Sequence, residues 1–349
     1  KKPEEEEEEE EEEPQQKHYD VPTDTWSMGA DLTKAKAKYL EFEVEEEEEE
    51  VLEEDIPLEG TDVEKDYKIK GNVAKLGPNI IKKGVEKKTK KDVYFKLSSA
   101  SFSDMFDVEL HRKEIQFLQS PKFAHPTILP LLKAIDLGSI QVSVLEAMSG
   151  GKDLLTWLSS RSSSSSKYTE KVARSLLVDI LKVTSFLHGQ GILHRGLVLG
   201  SFLVSSQKVI KLIDAKNCLE VKNGDEETDE PWPINPYYQP PELAHRKPYS
   251  QKGDIWCIGV IACVLLCGRP PFVDSNHLRL GRKIREGKLD EVKELLPSSS
   301  SKDFIVKLLN PDAGARLTAD KALEHKWVTG TSHKSISLDK LGDIIQSLL

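Results

Sequence analysis

Residues 240–272 read PPELAHRKPYSQKGDIWCIGVIACVLLCGRPPF. The apolar run at 255–266 inside this stretch is shorter than the roughly 18 residues that suggest a membrane span, so it is expected to be a buried helix. A turn-forming Gly268-Arg269-Pro270-Pro271 follows it and ends the pattern. Toward the N-terminus, Val172, Leu176, Leu177, Ile180, Leu181 and Leu187 keep helical spacing over 170–188 and define one buried face.

Beyond Gly150-Gly151 in the N-terminal direction the pattern changes. Short runs rich in β-branched and aromatic residues, at 67–69, 93–95, 128–132 and 140–145, alternate with Gly, Asn, Pro and Lys. They predict a small antiparallel sheet, with one helix over 108–118. The serine runs 162–166 and 298–301 read as loops. The apolar positions Leu338, Leu341, Ile344, Ile345 and Leu348 predict a helical C-terminal extension over 329–349 that packs on the body.

Charge is unevenly divided. The first 60 residues hold 25 Asp/Glu against 6 Lys, a net of −19, and the whole chain of 349 residues carries −10. With glutamates filling 4–13 and 45–50 and few apolar side chains between, burial cannot offset the entropy of ordering, so 1–62 is expected to be a disordered acidic tail. Its aromatic islands, at Trp26 and Tyr39 to Phe42, are candidate docking motifs. Such a tail repels phosphates, which argues against nucleic acid and for a basic protein surface as its partner. Four cysteines without CxxC or histidine spacing indicate neither a disulfide scaffold nor a metal site. With no secretory pattern and no membrane-spanning run, the expected location is cytoplasmic, with nuclear or cytoskeletal association open.

Between 67 and 328 the chain resembles a eukaryotic protein kinase, its C-terminal half being most similar to calcium/calmodulin-dependent kinases. The motifs come in the family's order. Pro240-Pro241-Glu242 stands for Ala-Pro-Glu, Asp254 to Gly259 for Asp-x-Trp-x-x-Gly, and Gly268 to Phe272, Ile284 to Gly287, Arg316 and His325-Lys326-Trp327 complete the series. The resemblance implies an α+β, bilobal fold over 63–328. A small antiparallel-sheet lobe with one helix would cover 66–146, and a mostly helical lobe 149–328. It also implies a buried Glu242–Arg316 ion pair and an Asp254 that caps backbone amides near the catalytic loop.

Set against the family's motifs, the chemistry looks depleted. His194-Arg195-Gly196-Leu197-Val198-Leu199-Gly200-Ser201 stands where the family has His-Arg-Asp-Leu-Lys-x-x-Asn. Gly196 thus replaces the catalytic carboxylate, Val198 the phosphate-contacting lysine and Ser201 a metal ligand. Asp214-Ala215-Lys216 stands for Asp-Phe-Gly, and 74–79 for the glycine-rich loop. Lys96, Glu114 and Asp214 would form a vestigial nucleotide site, and Tyr94, two residues before Lys96, would block it. Asp214 is the one candidate magnesium ligand. The resulting expectation is a non-enzyme: a pseudokinase scaffold, allosteric regulator or structural subunit of a larger assembly, working through protein partners. No cofactor is expected on this reading. Its alternative is an atypical ATP-binding Ser/Thr kinase with weak ATP and magnesium binding and residual phosphotransfer.

Overall fold

Alternating side chains on an extended strand point to opposite faces. In 93–98, Val93, Phe95 and Leu97 face one way and Tyr94, Lys96 and Ser98 the other, and all six are buried. The strand is therefore covered on both sides, and its two covers define the upper lobe. The computed structural model describes residue 58, residues 61–76, 79–99, 105–138, 140–162, 168–221, 234–245 and 247–338, and residue 341.

Five strands, β1 (Tyr67–Leu76), β2 (Asn79–Glu86), β3 (Asp92–Ser99), β4 (Leu131–Asp136) and β5 (Ile140–Glu146), pair antiparallel in the order β1-β2-β3-β5-β4. Val93, Phe95 and Leu97 pack with Tyr67, Val142 and Val144, and Tyr67 meets Phe95 edge to face at 5.4 Å. Leu58 and Val63 belong to the same cluster. The packed cluster thus includes one residue, Leu58, that precedes the boundary at 62 suggested by composition. The helix Met105–Gln119 lies against β3, β4 and β5 and is longer than the 108–118 expected. The first strand of the 128–145 pair begins only at Leu131, while Ile128 makes an isolated bridge to Leu212.

The lower lobe is mostly helical. Glu170–Gly189, Gln251–Cys267, His277–Glu286 and Ser299–Leu308 are its longer helices, and short strands β6 (Lys152–Asp153), β7 (Ile192–Leu193), β8 (Phe202–Val204), β9 (Ile210–Leu212) and β10 (Leu219–Glu220) form two small sheets, β6-β8-β9 and β7-β10. The Gln251–Cys267 helix is buried along almost its whole length from Gly253 onward. It starts at Ser250, whose hydroxyl accepts from the Lys252 amide, and stops at Gly268, whose φ of 72° is the left-handed cap that glycine adopts without strain. The architecture is α+β, with an antiparallel-sheet lobe carrying one helix and a helical lobe.

Two expectations change. The serines at 298–301 do not form a loop: Ser298 accepts from the Ser301 amide and begins the Ser299–Leu308 helix, as a good N-cap residue does. Residues 331–338 show no helix. They run alongside the start of the long helix, with an antiparallel bridge between Thr169 and Ser335, and bury Leu338. Leu341 is buried as well, whereas 342–349 lie outside the described residues. The tail at 1–57 with its aromatic islands and the serine run at 163–166 also lie outside them. Among the described residues no helix is long and apolar enough to cross a membrane.

Candidate functional site

A buried charge cluster joins three parts of the chain. Lys96 on β3 donates through Nζ to Glu114 Oε1 at 2.7 Å and to Asp214 Oδ1 at 2.8 Å, and reaches the Ile213 carbonyl at 3.3 Å. The Ala215 amide donates to Glu114 Oε1 at 2.6 Å, so the sheet, the Met105–Gln119 helix and the segment after β9 are held at one point. Burial alone would lower the Lys96 pKa, but Asp214 and Glu114 raise it instead. Burial likewise opposes ionisation of Asp214, yet Lys96 and Lys216 hold its carboxyl well below the usual range. Glu114 goes the other way, because burial outweighs the help it receives from Lys96. Its second oxygen, Oε2, is buried with no hydrogen-bond partner.

His111, one helical turn before Glu114, contacts Ser143 Oγ through Nε2 at 2.9 Å. Burial first, and the Lys96 charge second, push its pKa down to about 3. The sequence offered a signal for this residue only through helical spacing from Glu114, which places both on one face.

The loop at 194–201 is pinned from below. Asp254 accepts the His194 amide on Oδ2 and the Arg195 amide on Oδ1, both at 2.9 Å, and also binds Tyr249 Oη at 2.7 Å and His188 Nε2 at 2.9 Å. Arg195 sits at φ 60°, a left-handed conformation costly for a residue with a side chain, and these bonds fix it there. Its Nε donates to the Asn217 carbonyl at 2.8 Å. A β-carbon added to Gly196 would come within 2.6 Å of Asn217 Nδ2, so the amide of Asn217 fills the space where a side chain at 196 would begin. Ser201 is fully buried, and its Oγ donates to the Gly196 carbonyl at 3.3 Å and accepts the Val198 amide at 3.2 Å. That hydroxyl is thereby spent on the loop itself.

Farther down, Arg316 makes a bidentate pair with Glu242, both bonds at 2.9 Å, while its Nε donates to the Asn310 carbonyl at 3.0 Å and its guanidinium lies over Trp256. Removing one member of so buried a pair strands the other charge at a cost of about 3–5 kcal/mol. Asp254 therefore holds the loop and the Glu242–Arg316 pair holds the helical lobe, whereas Lys96, Glu114 and Asp214 converge at one point.

Tyr94 lies on the same face of β3 as Lys96 and is 1 % exposed. It packs in a cluster with Ile81 and Leu145 of the sheet, Met148 of the linker between the lobes, and Leu203 and Ile213 from the lower lobe. Its hydroxyl donates to the Met148 carbonyl at 2.9 Å. Of the segment expected to stand for the glycine-rich loop, residues 77–78 lie outside those described. The sequence singles out neither Asn217 nor Met148, and marks Gly151 only as the point where the pattern changes, because their roles arise from contacts made far along the chain.

As for metals, no group of three or more His, Cys, Asp or Glu side chains that could hold an ion occurs among the described residues. Asp214 supplies one carboxylate, which suits magnesium carried largely by a ligand's own phosphates.

A family model described as "Protein kinase domain" matches residues 78–328. Serine/threonine-protein kinase H1 of Mus musculus is 34% identical over 247 residues, 69% of this chain and 56% of that protein. Calcium-dependent protein kinase 14 of Arabidopsis thaliana is 32% identical over 249 residues, 70% of this chain and 45% of its own length. Calcium/calmodulin-dependent protein kinase type 1 of Caenorhabditis briggsae is 33% identical over 226 residues, 63% of this chain and 60% of its length. The chain thus spans about half the length of the curated relatives it matches.

These relatives overturn the expectation of a non-enzyme drawn from Gly196, Val198 and Ser201. Proteins named as kinases align along most of the chain, which points to a kinase enzyme. The physical reason the loop alone misleads is that phosphoryl transfer asks the protein mainly for positioning and charge stabilisation. Three substitutions in one loop leave the cluster at Lys96 intact.

Proposed function

Because this chain belongs to the protein kinase domain family, we propose that it is an ATP-dependent Ser/Thr phosphotransferase of an atypical kind. The observation that carries this reading is the buried triad in which one ammonium, Lys96, is shared by Glu114 at 2.7 Å and Asp214 at 2.8 Å. A lysine so placed can orient phosphate oxygens, and Asp214 would hold the magnesium ion that neutralises their charge. Glu114 positions the lysine. The loop provides no carboxylate at 196, so orientation of the acceptor hydroxyl rests on the substrate and on the fixed backbone of 194–201, and turnover is slow.

The test is transfer of labelled γ-phosphate from magnesium–ATP to a mixed Ser/Thr protein substrate. Slow transfer that disappears in both Lys96→Met and Asp214→Asn is the expected result. Absence of transfer in the unmodified chain, or its persistence in both variants, overturns the proposal. We further infer that the acidic residues of 1–62 engage a basic protein surface, supported by the net charge of −19 over the first 60 residues.

A further inference from the structure

The triad is buried, and the space beside it along β3 is filled. Side chains two residues apart on one strand face stand about 7 Å from each other, and the neighbour of Lys96 at that spacing is Tyr94. The phenol packs with Ile81 and Leu145 of the sheet and with Leu203 and Ile213 of the lower lobe, the last adjoining Asp214 in the chain. Any ligand with phosphates at Lys96 and a flat apolar group attached would have to lay that group between these same surfaces.

The phenol is also anchored at its far end. Its hydroxyl holds the Met148 carbonyl at 2.9 Å in the segment that links the sheet to the helical lobe. Gly151 approaches so closely that a β-carbon there would lie 2.2 Å from the Tyr94 oxygen. Gly151 has no left-handed φ to explain its lack of a side chain, which leaves the contact with Tyr94 as the reason. Two cavities among the described residues lie elsewhere. One of about 410 Å³ is lined by Lys113, Phe117, Arg195 and Lys216, and one of about 260 Å³ by Glu242 and Pro311. Neither includes Tyr94, Lys96 or Asp214.

We propose that Tyr94 is the residue that sets donor specificity at this site: its ring holds the place of a nucleobase, so that the site admits the polyphosphate–magnesium end of a donor and discriminates against the base. This rests on the reading of Lys96 and Asp214 as the phosphate-handling pair. A base enters only when the phenol leaves, which breaks its bond to Met148 and opens the apolar cluster between the lobes.

Calorimetric titration of the full chain with magnesium–ATP, magnesium–tripolyphosphate and adenosine tests the idea. The unmodified chain should bind tripolyphosphate at least as tightly as ATP and adenosine not at all. Tyr94→Ala should bind magnesium–ATP about tenfold more tightly or better, with tripolyphosphate affinity within about threefold of the original. Gly151→Ala, which sets a methyl group against the phenol oxygen while leaving the contacts of Tyr94 with Ile81, Leu145, Leu203 and Ile213 in place, should shift ATP affinity in the same direction. It decides the matter if Tyr94→Ala fails to fold. Tighter binding of ATP than of tripolyphosphate by the unmodified chain, or ATP affinity that neither variant raises, overturns the assignment. Where tripolyphosphate binding persists and depends on Lys96, only the role of Tyr94 falls. If no probe binds any variant, the phosphate-site reading falls with it.

Discussion

His111 shows how one buried side chain couples the site to pH. Its pKa is pushed down to about 3, from a usual 6.5, chiefly by burial and then by Lys96. The unfolded chain takes up a proton at this ring once the pH falls below 6.5, whereas the folded chain resists until near pH 3. Stability from this group is thus fully present above pH 6.5 and is lost as the pH falls through that window. The loss amounts to about 2 kcal/mol by pH 5. Urea midpoints at pH 7.5 and pH 5 should therefore converge more in His111→Asn than in the unmodified chain. An equal drop in both would show that His111 does not hold its neutral form in the fold. His194, lowered in the same direction by burial, adds to the background that the comparison subtracts.

The segment after Trp327 acts as a clasp on the long Glu170–Gly189 helix. Glu170 is fully buried and accepts from Ser298 Oγ at 2.5 Å and Trp327 Nε1 at 2.7 Å, with the Ser332 hydroxyl as a third donor. Arg174, one turn on, donates to the carbonyls of Trp327 at 2.7 Å and Ser332 at 3.1 Å. Burial raises the Glu170 pKa, but the three donors outweigh it and favour the ionised form. Glu170→Ala leaves buried donors unpaired and should lower stability by about 2–3 kcal/mol. Thermal unfolding followed by tryptophan fluorescence reports it directly, since Trp327 is one of the partners. A change below about 0.5 kcal/mol would mean that the clasp is held by Leu338 and Ile336 instead.

Across the whole molecule the charge is polar in the literal sense. The first 60 residues carry −19 while the rest sums to +9 within a total of −10. Binding of the acidic residues to a basic protein surface is long-range and screened, so it should weaken steeply as ionic strength rises above about 0.15 M. Pull-downs on a lysine-rich protein such as a core histone should retain the full chain at low salt and release it by about 0.5 M, and should fail for a chain lacking residues 1–57, which keeps the buried Leu58. Equal retention of the shortened chain would assign the binding to the basic body.

Much was legible before any coordinates. The apolar run at 255–266, too short to span a membrane, lies within the helix Gln251–Cys267, and the strand-like run at 93–95 lies within β3. The order of motifs from Glu242 to Arg316 gives the fold, because it is an ordered set of local patterns. What pattern cannot carry is which distant groups meet. That Asp254 grips the amides of 194 and 195, that Asn217 fills the space at Gly196, and that the Tyr94 hydroxyl reaches Met148 are decided when segments 20 or more residues apart close on one another. The serines at 298–301 make the same point: four small polar residues read as a loop until Glu170, 128 positions earlier, supplies the buried carboxylate that Ser298 binds. Local periodicity fixes elements because neighbours in sequence share a face. The chemistry of a site depends on burial and on partners that only the packed chain brings together.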